Sequence, residues 1–436
     1  MIYPVPSANA GGTVFTGETE GNPMLNEKEI KSMVISALEQ RKPKKILMVV
    51  PDFTRCFSNA GLIANIAYHW CVENNVGVEL LEALGTHVPM TEKEIKAMYG
   101  DIPLSKFHAH DWRHDVVNIG EVPASFVSEV TEGLWKKGVA VEVNRMVLDP
   151  SFDLVLSIGQ VVPHEVIGMA NQAKNLFVGA GGSDMINQSH IIGAVYGMER
   201  MMGRDYTPVR RIFDYALEHY LSKKANILWM LTVCTAPNDV IQTHGLFIGE
   251  GRKPLEDAVK LSQELNIDYV ETGIKKCVVY LNEKEFHSTW LGNKAVYRTR
   301  MAIADGGQLI VLAPAVDKFG EDKTNDALIR KYGYKGRIHT LELLNENEDL
   351  QANMGVAAHM IHGSSDGRFS ITYAVRDISQ EEIRDVGFIP ASYEELSKKY
   401  DPEKLKYGYN TVDGEEIFFI PNPALGLWIN REKFNS

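Results

Sequence analysis

The chain is short of cysteine. Its four, Cys56, Cys71, Cys234 and Cys277, form no CxxC pair and no spacing suited to zinc. That excludes a disulfide-built fold and fits free, mostly buried thiols in a reducing compartment. Long apolar runs are missing too: none approaches the ~18 residues of a membrane span. So is any excess of positive charge, since 45 basic residues stand against 57 acidic ones. The resulting −12 argues against a nucleic-acid or anionic-membrane partner, because phosphate binding needs a basic face. A small anionic substrate needs only two or three local cations and stays open. The opening residues, MIYPVPSANAGG, show no basic region followed by an apolar core. No repeat, charge block or low-complexity tract interrupts the rest. The expectation is a cytoplasmic enzyme or binding protein too long for one core, with domains at 1–260 and 261–436.

What is present is an alternation of strand, loop and helix. Residues 1–25, rich in Gly, Pro, Ser and Asn, predict an irregular arm or short β-elements. Lys45–Val50 reads as a strand, Ala60–Asn74 as a helix and Val76–Leu81 as the next strand. Thr91 to Glu94 is a capping box that opens another helix. Residues 190–222 look helical, with Met198, Met201 and Met202 as core filler. The alternation restarts after Gly249-Glu250-Gly251. The fold class expected is α/β: two α/β domains with mostly parallel sheets and the active site in the cleft between them.

Chemistry collects where strands end. The stretch 159–190 follows the apolar run Leu154–Ile158 and offers His164, Lys174 and His190 among glycines. A lysine amine can bond a carbonyl-type cofactor, and a neutral imidazole can ligate a soft or borderline metal. Asp52-Phe53-Thr54-Arg55 follows the first strand directly. It reads either as a helix cap with a surface ion pair or as an anion site in which Asp52 steadies the Arg55 fork. Its place at a strand's C-terminal end favours the second reading. Gly85-Thr86-His87 closes the next strand on the same sheet edge, which makes His87 a candidate general base. The run 107–114 holds His108, His110 and His114. One functional histidine at most is expected there, with His110 beside Asp111 ranked behind His87.

Taken in order, Asp-x-Thr-Arg, Gly-Thr-His, His-Asp, Gly-Gln-x-x-Pro-His (Gly159 to His164), Ala-Lys-Asn (Ala173 to Asn175) and His190 resemble the nickel-pincer-nucleotide lactate racemase family. The likeness is tightest from Val50 to His190. It implies a racemase or epimerase, an isomerase that inverts C2 of a 2-hydroxy acid by hydride transfer to and from the cofactor. It implies that Lys174 tethers the pyridinium-bisthiocarboxylate nucleotide covalently and that His190 is the protein's nickel ligand. His87 and His164 match the two acid/base histidines. Asp52, Phe53, Thr54 and Arg55 match the turn that binds cofactor and substrate, and Lys294 matches a substrate-carboxylate lysine. Cofactor-synthesis proteins would then be partners for loading.

Departures bear on the substrate. Lactate-type members have a Ser-Gly-Gly run where this chain has 169–173, Tyr-Gln where it has Trp290-Leu291, and Pro-x-Pro where it has Cys56-Phe57-Ser58. The expectation is therefore a larger hydroxy acid, such as an aldonic sugar acid. Trp290 and Leu291 would border it, and Asn171, Gln172 and Asn293 would hydrogen-bond its extra hydroxyls. The alternatives are lactate racemase proper, a non-catalytic hydroxy-acid or cofactor-binding protein, and a zinc hydrolase built on His108, His110 and His114.

Overall fold

A computed structural model describes residues 3–6, 13–18, 24–424 and 426–435. Of the stretch 1–25, Tyr3–Pro6 and Thr13–Glu18 are strands; the expectation for its other residues before 24 lies outside the described residues. The chain divides into two compact units. The first holds Met1–Ser189 and Met201–Asn266; the second holds His190–Arg200 and Ile267–Ser436.

The first unit is built on an eight-stranded sheet. Strands Phe107–Ala109, Gly77–Ala83, Lys45–Pro51, Leu154–Gln160 and Ile227–Thr235 lie side by side and parallel. Gln242–Gly249 then pairs antiparallel, followed by the two N-terminal strands. Ile46 to Val50 are wholly buried, as a strand covered on both faces requires. Helices Glu27–Arg41 and Ala60–Glu73 supply much of one cover, and Ile30, Met33, Val34, Ile63 and Ala67 share a core with Ile46, Met48 and Leu156. Local signals set the helix starts: Asn26 and Thr91 each close a capping box, with Glu29 and Glu94.

The helix expected over 190–222 is two helices, Ser183–Tyr196 and Pro208–Ala216. Gly197 and Gly203 interrupt it with φ of +104° and +74°, and Thr207 with Pro208 restarts it. The three methionines between them are buried, at 2 % exposure or less.

The second unit has a six-stranded sheet. Its order is Ile389–Ser392, Ser370–Val375, Ile303–Leu312, Ile274–Tyr280, Glu415–Ile420 and Gly408–Val412, parallel except for the last pair. Asp305-Gly306-Gly307 lies within the strand Ile303–Leu312, with Gly306 at φ +74°. Charge ties the piece His190–Arg200 to this unit. Buried Arg300 bonds Glu199 at 3.0 Å, Arg368 bonds the same carboxylate at 2.6 Å, and Arg337 donates to the Val195 carbonyl. Burial alone would raise the Glu199 pKa, but the two guanidinium groups hold it below the usual range. Both sheets are α/β and mostly parallel, as expected.

Candidate active site

In the first unit, neighbouring parallel strands deliver two turns to one edge. Strand Lys45–Pro51 ends at Asp52, which caps the 3-10 helix Phe53–Ser58 by accepting from Thr54 N at 3.0 Å and from the Thr54 hydroxyl. Strand Gly77–Ala83 leads into the turn at His87, whose N–H closes on Leu84 O. The other carboxylate oxygen of Asp52 meets His87 Nδ1 at 2.5 Å. Asp52 is 5 % exposed whereas the His87 ring is half exposed. Burial alone would push the Asp52 carboxyl up. Hydrogen bonds from His87 and Thr54, with the charges of His87 and Arg55, hold it below its ordinary value. An ionised Asp52 accepts the Nδ1 proton and leaves His87 Nε2 as the basic nitrogen.

This corrects one reading. Asp52 does not grip Arg55. Arg55 Nη1 instead donates to the Thr54 hydroxyl at 3.1 Å and the Thr54 carbonyl at 3.3 Å. Asp52 therefore orients the histidine, and Thr54 steadies the arginine. Arg55 stays exposed, with donors to spare for an anion. Cys56 beside it is half-buried, and burial pushes its thiol up.

Lys174 sits at the entrance to a π-helical turn, Asn175–Gly179. Asn175 anchors that turn by donating to Ser157 Oγ at 2.9 Å, and Gly179 O accepts from Gly85 N at 2.8 Å. The lysine turn and the His87 turn are thus bonded together. A Cβ on Gly179 would come within 2.8 Å of Ala83 Cβ, so the close approach requires glycine there. Lys174 is half-buried, and its amine is pushed down to about 8, by burial first and then by the charge of Arg55. Glu165 and Asp52 oppose that shift in part, while Arg210 adds to it.

His164 lies in a two-stranded ladder, Pro163–His164 against Gly168–Met169. Its Nδ1 accepts from Val166 N at 3.1 Å, so in the neutral ring Nε2 carries the proton. Glu165 approaches Nδ1 at 3.9 Å. His87 and His164 are therefore held in opposite tautomers, one with a basic Nε2 and one with Nε2–H.

The histidine run resolves differently from its first appearance. His110 is 4 % exposed, accepts at Nδ1 from Asn144 at 2.9 Å and donates from Nε2 to Gly181 O at 2.9 Å. Burial lowers its pKa, and both ring nitrogens are used in scaffolding. Asp111, the neighbour expected to orient it, pairs with His114 at 2.7 Å, and His108 pairs with Glu79 at 2.9 Å. Among the described residues no three His, Cys, Asp or Glu side chains come together to hold a metal ion. The zinc-hydrolase alternative loses its ligands on those pairings.

In the second unit, His190 is half-buried in helix Ser183–Tyr196. Trp290 and Leu291 lie in the short helix Thr289–Gly292, and half-buried Lys294 opens the next. Trp290 stacks on His359, with ring centroids 4.0 Å apart and planes at 23°. The buried Tyr334 hydroxyl bonds both His359 Nε2, at 3.0 Å, and Thr289 Oγ1, at 2.8 Å. Burial, then the neighbouring His362, pushes His359 down to about 3, so it stays neutral. Its only sequence signal was a histidine pair three apart on helix Met354–His362.

Of the three amides expected at substrate hydroxyls, one is engaged at both ends and one is fully buried. Gln172 is 1 % exposed, accepts from Arg210 and donates to Gly251 O. Asn293 is fully buried; its oxygen accepts from the Tyr373 hydroxyl at 3.1 Å, while its Nδ2 has no hydrogen-bond partner among the described residues. Asn171 is half-buried, and its side-chain oxygen accepts from the next backbone N–H. Among the described residues no helix is long and apolar enough to cross a membrane.

The fold recurs in known proteins. Residues 27–202 match the lactate racemase N-terminal domain. A crystal structure of a Thermotoga maritima protein superposes with a TM-score of 0.76 at 26% identity, covering 94% of this chain and 99% of that one. The lactate racemase apoprotein from Thermoanaerobacterium thermosaccharolyticum shares the fold, with a TM-score of 0.70 at 16% identity over 98% and 100% of the two chains. No curated protein matches the chain. Residues 27–202 are therefore similar to the lactate racemase N-terminal domain, and the fold of the whole chain recurs in these solved structures.

Proposed function

We propose that the protein is a racemase or epimerase that inverts C2 of a 2-hydroxy acid with a nickel-pincer nucleotide attached to Lys174. The observation that carries this reading is the opposite tautomers of His87 and His164. Inversion through a 2-keto acid needs one group that accepts the hydroxyl proton and another that returns a proton on the opposite face. His87 Nε2, made basic by Asp52, suits the first role, and His164 Nε2–H suits the second. For the reverse direction they exchange roles.

The chain's own groups fit the cofactor. Lys174 offers an amine with its pKa brought down to about 8, a nucleophile at near-neutral pH. Arg55 offers an exposed fork for a phosphate or a carboxylate. His190 is one imidazole donor, so a bound nickel would take its remaining donors from the nucleotide. When bound, that group supplies a hydride acceptor, which spares the substrate a carbanion beside its carboxylate. The protein's share is to hold the hydroxy acid and move its protons, with Arg55 as a carboxylate partner.

For the substrate we propose an acid larger than lactate, such as an aldonic acid. Its support is now Trp290, whose indole is braced by His359 and offers an apolar surface to a hydroxylated carbon chain. Gln172, engaged at both ends, and Asn293, fully buried, no longer contribute. Purification from cells that make the cofactor, followed by intact mass, nickel content and racemisation of lactate, malate and gluconate, tests the reading. Added mass on Lys174, about one nickel per chain and gluconate preferred are expected. A bare Lys174 would return the protein to a binding role, and lactate as best substrate would make it lactate racemase proper.

A further inference from the structure

The loop that presents Lys174 is strained. Asn171 and Gln172 are consecutive, neither is glycine, and both have positive φ, +70° and +56°. A side chain with a Cβ makes that region unfavourable at each. Something must repay it.

The compensation comes from helix Pro208–Ala216. Arg210 is 1 % exposed. Its Nη2 donates to Met169 O at 2.8 Å and Asn171 O at 3.1 Å, and its Nη1 to Gln172 Oε1 at 3.3 Å. Gln172 passes the restraint on to Gly251 O at 3.1 Å. The helix start is tied to the same segment, because Thr207 donates to Ile167 O at 2.6 Å while capping Arg210 N. On the other side Asn171 packs against bare backbone: a Cβ on Gly159 would lie 1.9 Å from its Nδ2. A planar fork with several donors meets three acceptors converging from one turn, which an ammonium on a flexible stem does poorly.

We infer that Arg210 is a positioning residue for Lys174, its guanidinium fork holding the left-handed pair Asn171–Gln172 so that the lysine amine is presented at the site. The charges acting on that amine are Arg55, Glu165, Arg210 and Asp52, and Arg210 is the one that also holds its loop. Burying a guanidinium is costly, and Asp214 lies near enough to offset part of the charge.

This inference rests on Lys174 being the attachment amine, but its test does not need the cofactor. In unmodified protein, verified by intact mass, Lys174 is acylated by an amine-selective reagent across pH and read by peptide mass spectrometry. The natural chain should show a midpoint near pH 8. Arg210→Met removes a like charge, so the midpoint should rise; half a unit would cut labelling at pH 7 about threefold. Arg210→Lys keeps the charge and loses the fork. Its midpoint should hold while the limiting rate at high pH changes by about threefold or more as the loop loosens. Adding Asn171→Gly and Gln172→Gly to Arg210→Lys should bring that rate back, since glycine adopts positive φ without strain. If Arg210→Met does not fold, Arg210→Lys decides: a limiting rate within about threefold of the natural chain overturns the inference. Lys174 that labels as expected yet never gains cofactor mass counts against the proposed function instead.

Discussion

Replacing Lys174 by methionine should make the unmodified protein more stable. The stem is kept, the ammonium goes, and no hydrogen bond is lost among the described residues. The folded state pushes the amine from 10.5 down to about 8. That 2.5-unit difference corresponds to about 3 kcal/mol of penalty wherever both states would otherwise be protonated. Lys174 is only half-buried, so solvent screening brings the expected gain to roughly 1.5–3 kcal/mol at pH 7. For a unit of this size, each kcal/mol moves Tm by roughly 2–4 °C, so a rise of several degrees is expected. The pH dependence is the sharper test. Below pH 8 the penalty is complete. Between about 8 and 10.5 the folded state sheds its proton first and the penalty fades, and above 10.5 it is gone. Thermal melts of both proteins at pH 7 and pH 10 should therefore show the advantage shrinking to about a third or less. An advantage that is equal at both pH values, or a variant less stable at pH 7, would refute the claim that a buried charge is kept there at the expense of stability.

Asp52→Asn should lower kcat by about 10²–10⁴ on whichever 2-hydroxy acid is turned over, because with its oxygen kept by Thr54 the amide NH2 faces His87 Nδ1, donates to it and imposes the other tautomer; unchanged kcat would remove Asp52 from the chemistry. The ionised Asp52 is favoured in the fold, so its contribution is present above about pH 4 and lost as pH falls further, and the variant should show a shallower acid limb in Tm against pH. His110→Ala leaves Asn144 Nδ2 and Gly181 O without their partner and should cost about 2–4 kcal/mol in urea denaturation; full stability with lost activity would move His110 from scaffold to catalyst. Arg300→Met strips Glu199 of one of its two guanidinium partners and should cost the second unit about 3–5 kcal/mol, read as a lowered melting transition; no change would mean Arg368 suffices alone.

The local features of this chain were legible in its residues. The capping box at Thr91 and the apolar runs of the central strands act over three or four residues, where propensity and hydrogen bonding are decided nearby, whereas the breaks at Gly197 and Gly203 did not stand out from the helical pattern around them. The order of motifs likewise carries the likeness to the lactate racemase N-terminal domain over residues 27–202. Side-chain partnership was another matter. Asp52 bonds His87, 35 residues away, while its neighbour Arg55 goes to Thr54. Asp111 turns to His114, and His110 is claimed by Asn144 and Gly181. Arg210 reads as one more charge in the run Val209-Arg210-Arg211, yet it is 1 % exposed and bonded 38 to 41 residues back. Sequence alone determined which elements form, because their energetics are short-range. Which polar groups meet was decided only by the tertiary structure, because a buried donor or acceptor takes the partner that the packed sheet brings within 3 Å, whatever stands beside it in the chain.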